Sequence, residues 1–140
     1  MPTPTPSSAL AIEKPVEYLD VEDLIDLARR LLGDSLVIRD IGLLSAAAAR
    51  PRAEAFGREA YPDVWLKAAA LLQSVVKNHA LVDGNKRLGW LATGVFLHLN
   101  GVAAETAAND DVYDLVTDVA AGRHTVDEIA SALKAIVQDR

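Results

Sequence analysis

A chain of 140 residues suits one domain with one core, and about half of its residues are apolar, as in ordinary globular proteins. The net charge of −6 argues against general nucleic-acid binding, which needs a basic surface, and the absence of cysteine excludes disulfides and thiolate-bound zinc. Scarce aromatics and abundant alanine favour close-packed helices over sheets.

Residues 1–15, rich in Pro, Thr and Ser, read as a disordered tail, which leaves 16–140 as the folded domain. No basic segment followed by an apolar one opens the chain, so a cytoplasmic protein is expected. Asp20 is placed to cap a helix over Val21–Leu32, which carries Leu24, Leu27, Ala28 and Leu31 on one face and ends at Gly33. A short helix fits Ile41–Ala49, stopped by Pro51. Two prolines and a glycine make residues 50–62 a surface loop or short hairpin. Asp63 then caps a long helix to about Lys77, apolar almost all round and broken only by Lys67, Gln73, Ser74 and Lys77.

A second near-uniformly apolar helix is predicted from Asn85 to Leu99, with Asn100-Gly101 as its stop. Residues 88–104 contain no Asp, Glu, Lys or Arg, but the helical part falls short of the roughly 20 apolar residues a membrane span needs. A helix over about 109–121 follows, ending at Gly122. The last helix opens with a capping box, Thr125-Val-Asp-Glu128. The expected fold class is therefore all-α, a bundle around two buried central helices.

The segment joining those two helices, Asn78-His-Ala-Leu-Val-Asp-Gly-Asn-Lys-Arg87, is dense in polar groups where a structural turn needs only a cap and a glycine. Gly84-Asn85-Lys86-Arg87 opens a helix, so its first N–H groups and the helix dipole form an anion site. Gly84 permits close backbone approach, while Lys86 and Arg87 add positive charge. Asp83, the one carboxylate of the loop, suits Mg²⁺ shared with phosphate oxygens; it could equally cap the helix. His79 is the one nearby residue of a type suited to proton abstraction.

This segment resembles the signature of the Fic/Doc family, His-x-Phe-x-x-Gly-Asn-Gly/Lys-Arg, commonly with an acidic residue before the first glycine. The flanks Arg39-Asp40-x-Gly-Leu-Leu44, Arg50-Pro51-Arg52, Tyr61-Pro62, Phe96-Leu97-x-x-Asn100-Gly101 and Ala120-Ala121-Gly122 resemble the Doc (death-on-curing) branch, and the likeness covers about 18–138. The resemblance implies that His79 deprotonates a target hydroxyl, Asp83 holds Mg²⁺, and Gly84, Asn85, Lys86 and Arg87 bind the phosphates of ATP. Lys86 stands where AMP-transferring members have a second glycine, and Trp90 where they tend to carry a second arginine. Both features imply a Doc-type toxin that transfers the γ-phosphoryl to a threonine of elongation factor Tu and halts translation in a bacterial cytoplasm. AMP transfer to a protein hydroxyl and a decayed, antitoxin-binding protein are the alternatives; Leu81 in place of the usual Phe is the one support for the latter.

Self-inhibited Fic proteins carry Ser/Thr-x-x-x-Glu-Gly/Asn on a helix, and no glutamate of this chain has Ser or Thr four positions before it. The resemblance thus implies a separate antitoxin whose disordered segment folds on the toxin. Outside the loop, mid-helix His98 is expected to pack or bond to backbone, His124 to lie at the surface, and Trp65 and Trp90 to fill the core.

Overall fold

The computed structural model describes residues 14–138, so the tail expected over residues 1–15 lies outside them except for Lys14 and Pro15. Six α-helices occur among the described residues: α1 (Val21–Leu32), α2 (Ile41–Ala49), α3 (Val64–Asn78), α4 (Asn85–Leu99), α5 (Asn109–Ala120) and α6 (Val126–Gln138). Their starts follow the local chemistry. Asp20, Asp40 and Asp63 each accept from a backbone N–H three residues on, which satisfies one of the orphan donors of a first turn. Thr125 and Glu128 bond reciprocally at the start of α6, as the capping box requires.

The core is built on α3 and α4, antiparallel neighbours packed along their length, with α1, α2, α5 and α6 around them. Gly89 sets how close the central pair comes. A Cβ added there would lie 2.6 Å from a methyl of Val76, so the helix interface requires the missing side chain. Leu72, Val75, Leu88, Ala92 and Phe96 close the space on either side. No helix among the described residues is long and apolar enough to cross a membrane.

Residues 50–62 form the short hairpin, with β1 (Glu54–Ala55) antiparallel to β2 (Arg58–Glu59). Phe56 and Gly57 at its tip both have positive φ, as the tight hairpin turns that match strand twist demand. The polar residues that interrupt the apolar surface of α3 serve this region. Lys67 is 1% exposed; its ammonium donates to Glu59 at 2.5 Å and to the Tyr61 carbonyl at 2.7 Å, and lies over the Tyr18 ring. Arg50 donates to Gln73, Ser74 and the Tyr61 hydroxyl. Three of the four breaks in the pattern of α3 are thus internal attachments, and only Lys77 is exposed.

Candidate active site

The turn between α3 and α4 is shaped by backbone geometry at both ends. His79 ends α3 in the left-handed conformation (φ 53°, ψ 47°), a position that usually falls to glycine because a Cβ there costs about 1–2 kcal/mol. Gly84 stands before α4 at φ 94°, and a Cβ on it would lie 2.9 Å from a methyl of Leu32 at the end of α1. The chain therefore reverses tightly, with a glycine where it needs one and an imidazole where a glycine would be easier.

Between those points the loop is tied down. Leu81 is buried and bridges Ile38. The Asn85 side chain, itself buried, accepts from the Leu81 N–H at 3.0 Å and donates to the Leu81 carbonyl at 2.9 Å. It thereby does for the loop what a paired strand residue would. Ala80 accepts from the N–H groups of Arg39 and Asp40, and Val82 donates to the Val37 carbonyl. The Arg39 guanidinium bonds the carbonyl of His79 through Nε, at 2.9 Å, and through Nη2.

The sequence-derived site residues converge. His79, Asp83, Gly84, Asn85, Lys86 and Arg87 line one pocket of about 300 Å³, closed behind by Val76 and Ala120. Gly84, not Asp83, is the N-cap of α4, and no side chain caps it. The first N–H groups of α4 thus keep the unpaired, electropositive character of a helix start. His79, Asp83, Lys86 and Arg87 are exposed, and among the described residues no ion pair involves them. Charge placed without partners at a concave helix N-terminus can bind an anion, hold a cation beside it, and exchange a proton with a third group.

A magnesium–phosphate pair is compatible with this donor set. No three His, Asp or Glu side chains among the described residues form a metal cage. Mg²⁺ beside phosphates, however, uses one or two carboxylates, phosphate oxygens and water, and Asp83 is an available hard carboxylate next to the helix start.

Several features escaped sequence reasoning. The Asn85 side chain points into the loop, so its backbone N–H and not its amide faces the anion site. An apolar groove of about 480 Å³ lies alongside, between α1, α4 and α5, lined by Leu31, Trp90, Val112 and Tyr113, and it shares Lys86 and Arg87 with the polar pocket. Trp90 and Trp65 pack against the core with one side open. His98, expected to be packed, is exposed instead, because it stands in the last turn of α4 beside the exposed Leu99. His124 is partly exposed between Asp118 and Glu128.

Two comparisons bear on these residues. A model of the Fic/DOC family matches residues 18–97, a stretch that includes α1 to α3, the whole turn and α4 up to Leu97. Toxin Doc of Mycolicibacterium smegmatis is 52% identical over 120 residues, which cover 84% of this chain and 91% of that protein.

Proposed function

Because the chain belongs to the Fic/Doc family, in its Doc branch, we propose that it is the toxin of a toxin–antitoxin pair and transfers the γ-phosphoryl group of ATP to a threonine of elongation factor Tu. One observation carries the reading: His79, Asp83, Lys86 and Arg87 surround a single pocket at the bare N-terminus of α4, with no ion pair among the described residues to occupy them.

In this mechanism His79 accepts the proton of the target hydroxyl as its oxygen bonds to the γ-phosphorus. The bond between that phosphorus and the β–γ bridging oxygen breaks, and ADP leaves. The N–H groups of Asn85, Lys86 and Arg87 and the forked Arg87 guanidinium stabilise the charge on the phosphate oxygens. Asn85 acts through its backbone, since its side chain is committed to Leu81. Asp83 would hold Mg²⁺, which would supply positive charge to offset what builds on the leaving phosphate. Positioning and electrostatics suffice for phosphoryl transfer, and this turn has the groups for both.

Lys86 favours γ-phosphoryl over AMP transfer, because it brings bulk and charge where AMP-transferring relatives have glycine. Incubation with elongation factor Tu and ATP labelled at either the α or the γ position tests the choice. Label from the γ position is expected on a threonine; label from α alone would establish AMP transfer instead. The decayed-protein alternative leans on Leu81, but Leu81 is buried and doubly bonded to Asn85, so the loop is anchored without the usual Phe. Growth arrest that vanishes with His79→Ala would exclude it. The antitoxin acts in trans: the apolar groove beside Lys86 and Arg87 offers a folding segment a surface from which to cover the phosphate site.

A further inference from the structure

His79 is the one non-glycine residue outside the hairpin tip, among those described, that is held at positive φ, and it carries the chemistry proposed above. A residue so placed relaxes unless its surroundings over-determine it. The last carbonyls of α3 need donors in any case, because a helix end leaves them without intrahelical partners. Here the donor comes from a distant part of the sequence. Arg39 donates from Nε and Nη2 to the His79 carbonyl, and its Nη2 lies 3.4 Å from the Asn78 carbonyl. Its own N–H donates to Ala80 at 2.7 Å, so one residue grips the backbone on both sides of the His79–Ala80 bond.

We infer that Arg39 is a positioning residue for His79, fixing through its carbonyl the left-handed turn that turns the imidazole to the pocket. This rests on the reading of His79 as the proton acceptor. The selectivity follows from geometry. Arg39 bonds the α3 end of the turn, while Asp83 to Arg87, the residues assigned to phosphate and metal, are held by Leu32, Leu81 and α4. Removing the guanidinium therefore loosens the base and leaves the anion site as it was. A planar fork with two donors on one acceptor is also something a lysine does not reproduce.

The test uses the full chain with Arg39→Ala and Arg39→Lys. For Arg39→Ala we expect kcat to fall about 10²-fold, the scale of a misplaced catalytic group, with KM for ATP within about twofold of the parent. Arg39→Lys falls between the two. Methylguanidinium added to Arg39→Ala restores part of kcat, and methylammonium at equal concentration does not. In a His79→Ala background, Arg39→Ala lowers residual transfer no further, because two residues acting as a unit are not additive. A rise in KM with kcat preserved, or additive losses in the double variant, overturns the proposal.

A second readout needs no turnover and so separates this idea from the proposed function. The chain has three histidines, and their ring signals are resolvable by NMR. Arg39→Ala should shift or broaden the His79 signal while His98 and His124 stay in place. An unchanged His79 signal overturns the proposal even in an active enzyme. A changed one in a chain that transfers no phosphate would show Arg39 setting the His79 geometry while the proposed function fails, so the two failures are told apart. Should Arg39→Ala fail to fold, Arg39→Lys is read by the same two measurements.

Discussion

At the N-terminal end of α3 the Lys67 ammonium is buried, bonded to Glu59 and to the Tyr61 carbonyl, and laid over the Tyr18 ring. At the C-terminal end His79, Asp83, Lys86 and Arg87 stand in solvent around a pocket, without ion pairs among the described residues. Both regions are rich in charge, and the helix between them is the same. The difference is satisfaction. Charge that folding has already paired serves to hold the hairpin to the bundle, whereas charge that folding leaves unpaired beside a bare helix start is available to a ligand.

Substitution of His79 should separate the two ends most sharply. His79→Gly is expected to reduce transfer by about 10²–10⁴-fold, and to raise stability by about 1 kcal/mol, because glycine accepts the left-handed turn without a Cβ penalty. Transfer assays and denaturant melts check both signs; a destabilised His79→Gly would make the imidazole a structural group. Arg87→Ala comes next, with about 10²–10³-fold loss of kcat/KM through removal of a phosphate fork and a melting temperature unchanged.

The opposite pattern is expected at the other end of α3. Glu59→Gln leaves the Lys67 ammonium without its anionic partner and should cost about 1–3 kcal/mol in a urea melt, while KM and kcat for intact protein stay near the parent values. Burial by itself would lower the Lys67 pKa, but the contacts with Glu59 and Tyr18 outweigh it and hold the pKa above the usual 10.5. That contribution is therefore complete below about pH 10.5 and is lost as the pH rises through the raised value. Glu128→Gln should have the smallest effect. The Thr125 N–H bonded to its carboxylate holds the Glu128 pKa below the usual 4.5, so the group stabilises above that pH and ceases to as the pH falls through the lowered value. A melting-temperature difference between parent and Glu128→Gln should be present at pH 7 and shrink in acid.

Much of this was legible in the chain because helix boundaries are written locally. Asp20, Asp63, Gly33, Asn100-Gly101 and the Thr125–Glu128 box each act within a turn of where they stand. The candidate site was legible for the same reason, since its polar residues fall within one short loop. What the sequence hid were partnerships across distance. Nothing near Arg39 announces that its guanidinium ends on the His79 carbonyl, and Lys67 reads as a surface break until the hairpin brings Glu59 over it. The inward turn of Asn85 was hidden because an asparagine at a helix start has several equivalent uses. The exposure of His98 was missed because an apolar run does not tell which of its faces a neighbour covers.

The doubly bonded pair of Asn85 and Leu81 has a kinetic meaning as well. The Leu81 amide proton is protected by a side chain, so it exchanges with deuterium only when the loop opens or the whole domain unfolds. Its exchange rate is a clock for that opening. A nucleotide or an inhibitory peptide that stiffens the turn will slow the clock, with no label attached to the protein.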